Sequence, residues 1–212
     1  MMNIIAKILG DYAQTVPSST WKKSRQPMQT NDVARMENKR IVVSMETNEA
    51  TALDEEKIKT LSGGDTIAAR ELYKNFFEFV PHLKIWMFVN HKPIATDDSF
   101  AFWERIKLIP FTKQFDASTR DLELKNKLWE EKEGILKWLI DGCLLWQKEG
   151  LGIAPNAISN ATKEYQREND WLADFIYQCC KKEDGKQIKA SDVYIAYKEW
   201  AIKEGYQTKD IK

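Results

Sequence analysis

The run IWMFV at residues 85–89 constrains this chain more than any other segment. Five consecutive apolar residues of this kind predict a strand buried on both faces, as in the middle of a parallel sheet, and so an α/β fold. The run stops on Asn90, with His91, Lys92 and Pro93 after it, which puts a polar cluster at the strand's carboxyl end. Open α/β sheets bind their ligands at that edge. A second strand over residues 40–45, with the apolar core IVV at 41–43, leads into Glu46 and brings a carboxylate to the same kind of edge.

Other elements follow from periodicity and punctuation. Residues 1–9 read as a helix stopped by Gly10, and residues 17–31 as a polar loop. A helical turn is expected around residues 32–36, and a charged helix over 53–60 that Asp54 caps. The LSGGD stretch at 61–65 is a break. Residues 66–80 suit a β-hairpin with a two-residue Lys74-Asn75 turn; a helix across the same stretch is the competing expectation, which the alternation of Phe77 and Phe79 disfavours only modestly. WERIKLIPF at 103–111 predicts a third apolar strand ended by Pro110. Helical periodicity governs residues 121–149, with Leu136, Leu139, Ile140, Cys143 and Leu144 on one face and Gly150 as the stop. Residues 150–157 read as a linker. Two amphipathic helices follow, over 161–181 and over 191–204, the second capped by Ser191 and stopped by Gly205. The apolar residues of 128–146 are expected to be core or lid packing, and Tyr194, Tyr197 and Trp200 the core of a small terminal module.

Composition matters mainly for what it excludes. Thirty-two basic and thirty-two acidic residues cancel, so no global field draws the chain to nucleic acid or membrane. A DNA contact must come from a local patch or from placement in a ring. Lys22, Lys23 and Arg25 form one minor patch, more naturally a solvated loop. Three cysteines with an adjacent pair fit neither a zinc spacing nor a disulfide framework. No apolar stretch reaches the roughly 18 residues of a membrane span, and no signal peptide is evident at the start, so a cytoplasmic location is expected.

Glu46 and Asn90 at neighbouring strand ends have the residue types that nucleotide hydrolysis needs: an acid to polarise water and an amide to hold water or phosphate. Arg105 can supply a cation for charge developing on a terminal phosphate. Singly, each has a plainer explanation, as a solvated acid, a turn residue and a surface arginine. In this order, around a Gly-Gly-Asp turn, they favour the functional reading. A phosphate-gripping G-x-x-x-x-G-K-[ST] loop is absent from the sequence.

Four consecutive segments, IVVSMET, KTLSGGDTIAARELY, FEFVPHLKIWMFVNHKP and FWERIKLIPF, resemble the ordered motifs of superfamily-three helicases. They are most similar to the phage and plasmid primase-helicases, whose helicase core is of the type found in poxvirus primase-helicases. The resemblance runs from about residue 4 to about residue 205. It implies an AAA+-like P-loop NTPase sheet, N-terminally truncated, with a β-hairpin insertion, a helical lid and a small winged-helix-like module. The division implied is a helicase and ATPase core lacking Walker A over residues 1–150 and an incomplete winged-helix-like part over 158–212.

By position, the resemblance makes Glu46 the Walker B glutamate, holding magnesium, Asn90 the sensor and Arg105 the arginine finger. Lys74, Arg70 and Lys92 would face DNA, although Arg70 and Lys74 are equally readable as ordinary hairpin charges. The implied cofactors are ATP and Mg2+. The implied partners are single-stranded or forked DNA, further copies in a homo-hexamer, and a primase domain or subunit upstream. Met45 precedes Glu46 where the family often has an acidic or small polar residue. With no Walker A loop, the chain reads as the back portion of a longer protein, impaired in hydrolysis when isolated and exposing an apolar sheet edge. The rival expectation is a non-enzymatic remnant that binds DNA or a helicase partner through its terminal module.

Overall fold

The computed structural model describes residues 2–24, 30–45, 52–181 and 183–205. It comprises two compact units, residues 1–163 and residues 164–212. The first is mixed α/β and is built on a three-stranded sheet, β1 (Ala13–Pro17), β2 (Ile41–Met45) and β5 (Lys84–Phe88). All pairs are parallel, in the order β1-β2-β5. Ile41 lies level with Ala13 on one side and Lys84 on the other, and Met45 with Pro17 and Phe88.

The central strand is therefore β2. Ile41, Val42, Val43 and Ser44 are all buried, and full burial of an apolar side chain is worth about 1.5–3 kcal/mol. The expectation that residues 85–89 form the middle of the sheet is corrected. Strand β5 has β2 as its one ladder partner among the described residues, and Lys84 and Trp86 are exposed. An apolar run identifies a strand; its neighbours decide how deeply it is buried. Strand β1 was not foreseen, because AQTVP holds no run of apolar residues and ends on proline.

Side chains alternate across a strand, so Ile41 and Val43 share one face of β2. There they pack with Met2 and Ile5 of α1 (Met2–Leu9) and with Leu9, Ala13, Phe88, Ile135 and Leu139. Gly10, at φ 56°, ends α1 where expected. Helix α2 (Thr30–Ala34) precedes β2. Helix α3 (Glu55–Gly63) is capped by Asp54, whose side chain accepts from Lys57 N at 3.1 Å. It runs further into LSGGD than expected and ends on Gly64 in the left-handed region, φ 84°.

The hairpin exists but its turn differs. Strands β3 (Ile67–Ala69) and β4 (Phe77–Phe79) are antiparallel, with Ala69 opposite Phe77. Residues 70–76 thus form a seven-residue loop rather than a two-residue turn. The third strand expected at 103–111 is also corrected. Ser99 caps a short helix, α4 (Phe100–Trp103), by accepting from Phe102 N at 3.3 Å, and the residues after Arg105 form no strand. Phe102 and Trp103 are buried edge to face, 5.5 Å between centroids, so this apolar segment is held by ring packing instead of a ladder.

Helices α5 (Leu124–Glu130) and α6 (Lys132–Glu149) follow, and Gly150 closes α6 at φ 72°. No described residue of α6 is buried: Leu136, Ile140 and Leu144 are exposed, and only Ile135 and Leu139 pack on the α1–β2 cluster. The expected core role of this helix is thus confined to one narrow stripe.

Helix α7 (Asn156–Glu168) and helix α8 (Trp171–Cys179) replace the single helix expected over 161–181. Asp170 interrupts it by capping α8, accepting from Ala173 N at 3.0 Å. Helix α9 (Ala190–Lys203) begins at the Lys189 cap with no side-chain cap bond, so Ser191 is not its N-cap; Gly205 stops it at φ 79°. Within the second unit Phe175, Tyr197, Trp200 and Ala201 form a buried cluster joined by Tyr194, as the helical spacing predicts. Its described residues contain helices and no strand, so no wing is seen among them.

Candidate functional site at the carboxyl edge of the sheet

A parallel ladder sends every strand's carboxyl end to one edge. Met45 ends β2 level with Phe88, and Asn90 lies two residues beyond, exposed at that edge. Glu46, the carboxylate expected beside it, lies outside the described residues, as does Arg25. Arg105 follows α4 and is exposed; its guanidinium donates to the Ala101 carbonyl one turn back. It does not rise into a strand as expected.

The segments leaving the edge are tied to one another. Leu53 N donates to Ile94 O at 2.9 Å, Lys23 N to Ala52 O at 3.0 Å and Asp54 N to Trp21 O at 2.8 Å. Lys57 Nζ donates to Thr20 O at 2.7 Å. Glu55, buried at the start of α3, accepts three bonds on Oε1: from Thr96 N at 2.5 Å, Thr96 Oγ1 at 2.9 Å and Asp97 N at 3.2 Å. Lys59 pairs with Asp97 at 2.6 Å. Burial pushes the Asp97 carboxyl up, but bonds from Lys59 and Ser99 together with the Lys59 charge outweigh it and hold the group at about 2. Asp97 Oδ1 in turn accepts from Ser99 N at 2.8 Å, just ahead of α4 and Arg105. Glu55 had no special signal in the sequence; its role appears only when Thr96 and Asp97 are brought to it.

The DNA-facing candidates differ in setting: Arg70 and Lys74 belong to the hairpin loop, whereas Lys92 follows Asn90 closely in sequence. Arg70 lies over the Phe76 ring at 4.7 Å, Lys74 pairs with Glu71, and Lys92 is half-buried beyond β5. Between Arg70 and Lys74 stands Tyr73, which sequence reasoning passed over. It is 102% exposed with φ 63°. A left-handed non-glycine residue costs of order 1–3 kcal/mol, and a ring left in water forgoes about 1.5–3 kcal/mol of burial. Nothing in the letters RELYKNF announces a positive φ at the tyrosine.

A triphosphate needs a backbone cradle, and the described residues do not fit one. The one adjacent glycine pair, Gly63-Gly64, closes the carboxyl end of α3. That is the negative end of the helix dipole, the reverse of an anion-binding terminus. Nor do the described residues contain a cluster of three or more metal-ligating side chains.

A profile described as "Family of unknown function (DUF5906)" matches residues 2–105, which span Glu46, the hairpin, Asn90 and Arg105. One described as "Poxvirus D5 protein-like" matches residues 167–211. A protein of Acanthamoeba polyphaga mimivirus named "putative helicase" is 32% identical over 68% of this chain and 17% of its own length. Another so named, from Frog virus 3, is 26% identical over 93% of this chain and 22% of its own length. A third, from Invertebrate iridescent virus 3, is 27% identical over 68% of this chain and 18% of its own. The chain is thus similar, at low identity, to viral proteins bearing the helicase name and, over its last part, to the D5-like family, and it spans about a fifth of those viral proteins' length.

Proposed function

We propose that this chain is part of the helicase core of a D5-like replication primase-helicase. In this reading it is the later portion of an AAA+-like P-loop sheet of superfamily-three type, with the hairpin as DNA-engaging insertion, helices as lid and a winged-helix-like end. Glu46, Asn90 and Arg105 are its acid, sensor and arginine finger; Arg70, Lys74 and Lys92 face single-stranded or forked DNA. The working assembly is a cytoplasmic homo-hexameric ring of phage or plasmid type, fed by an upstream primase domain and using ATP and Mg2+. The observation that carries the reading is the parallel sheet presenting Asn90 at its carboxyl edge, within the region shared with the viral relatives. Because the phosphate cradle is missing, the isolated chain hydrolyses ATP poorly or not at all.

Steady-state ATP hydrolysis by the 212-residue chain, with and without DNA, tests this. Turnover near background is expected. Robust turnover that Glu46→Gln abolishes would overturn the expected impairment while supporting the site. The missing cradle also favours a second reading, a chain that binds DNA or a helicase partner without hydrolysis. Nucleotide-independent gel shifts that survive Arg105→Ala but vanish when residues 158–212 are deleted would select it.

A further inference from the structure

We propose that the loop at residues 70–76 is a base-stacking platform for single-stranded nucleic acid, with Tyr73 taking the face of an unpaired base and Phe76 extending the surface. The proposal rests on the reading that this hairpin engages DNA, and it replaces contact through charge alone with recognition of bases.

Three observations carry it. The rings are available: Tyr73 is 102% exposed and Phe76 62% exposed, with Leu72 between Glu71 and Tyr73 at 64%. The loop is also held in shape. Asn31 Oδ1 accepts from Leu72 N at 3.2 Å, Lys74 N donates to Glu71 O at 3.1 Å, and Arg70 lies over Phe76 at 4.7 Å. A tyrosine at φ 63° is thus presented by a braced turn in which glycine would be less strained. The third observation is the charge around it. Arg70 and Lys74 flank the ring in sequence, and although Glu71, the one acid in the loop, pairs with Lys74, the loop keeps a net positive charge, which suits a strand whose phosphates lie beside a stacked base. A duplex hides its base faces, so the surface selects unpaired strands.

The test is fluorescence anisotropy of the full chain with a labelled thymidine oligonucleotide and an abasic strand of equal length and charge. Wild type should favour the thymidine strand. Tyr73→Ala should weaken that binding roughly tenfold, within the range for one stacked base, and leave abasic binding unchanged. Tyr73→Phe should keep the preference. The salt dependence should stay constant in Tyr73→Ala and fall in Lys74→Ala. Circular dichroism melts confirm that each variant is folded. If wild type binds both strands equally and Tyr73→Ala matches it, stacking is refuted while DNA engagement stands. If wild type binds neither strand, the DNA reading fails and the platform fails with it.

Discussion

Replacing Glu55 removes a single oxygen that three donors share, and the structure fixes the size of the effect. In Glu55→Ala the amides of Thr96 and Asp97 lose their acceptor; the Thr96 hydroxyl can rotate to another. An unmade bond in a buried site costs about 1–3 kcal/mol for each donor. Thr96 is exposed, so water reaches part of the gap and the lower half of that range applies. Two amides then give ~3 kcal/mol. Glu55→Gln retains a carbonyl acceptor but loses the charge that roughly doubles a bond's strength. It also escapes the cost of a buried carboxylate, so its penalty is nearer ~1 kcal/mol. Urea unfolding at neutral pH measures both, and with a slope of about 2–3 kcal/mol per M the alanine midpoint should fall by ~1–1.5 M. Amide exchange at Thr96 and Asp97 should accelerate in the same order, alanine before glutamine. An alanine variant within ~0.5 kcal/mol of wild type, or one more stable than glutamine, refutes the clasp.

Three other outcomes are expected. Asp54→Ala removes the α3 cap and the 3.2 Å Lys57 pair, and should cost about 1 kcal/mol in the same assay. Asp97 has its carboxyl depressed from 3.8 to about 2, so its contribution is complete above pH 4 and is lost as pH falls toward 2. Lys59→Met should flatten the thermal stability curve within that window and leave its shape above it unchanged. Asp116 is held equally low by bonds from Ser118 and Thr119, and cancels in the comparison because both proteins retain it. Trp138→Glu with Leu144→Lys alters side chains that are 66% and 58% exposed, so stability should change by under ~0.5 kcal/mol per site. Sedimentation velocity should show less self-association for that pair, since the apolar flanks of α6 are removed.

What the sequence conveyed depended on whether the signal was local. IVV at 41–43 and IWMFV at 85–89 were legible as strands because composition and length suffice for that. Which one was central was not, since that follows from the ladder order β1-β2-β5. WERIKLIPF has the apolar content of a strand, but Ser99 starts a helix ahead of it and Phe102 and Trp103 pack as rings. Within the hairpin, the alternation of Phe77 and Phe79 favoured strands only modestly over a helix, and the loop was not legible, because its shape depends on Asn31 far upstream and a positive φ at Tyr73. The place of Asn90 just past a strand end was legible from the apolar run before it. Glu55 had no comparable mark, as a glutamate at the first turn of a helix ordinarily faces water and the dipole explains it fully.

The edge of this sheet is a bound layer rather than a set of loose strand exits. The segment after β1 bonds to the segment after β2 through Lys23–Ala52, Asp54–Trp21 and Lys57–Thr20. The segment after β2 bonds to the segment after β5 through Leu53–Ile94 and the Glu55 clasp. Residues 52–57 therefore stand between the other two and share bonds with both. Shifting the backbone near Ile94 breaks bonds to Leu53 and Glu55 unless residues 52–55 shift as well. Asn90 is four positions upstream of Ile94, and α4 and Arg105 lie downstream of Asp97, whose own side chain caps the approach to Ser99. A ligand that moves Asn90 must then either strain this layer or carry α3 and α4 with it. Any coupling across this edge has to run through these hydrogen bonds, because the start of α3, with Glu55 at its head, is the segment bonded both to the Trp21 side and to the Ile94–Asp97 side.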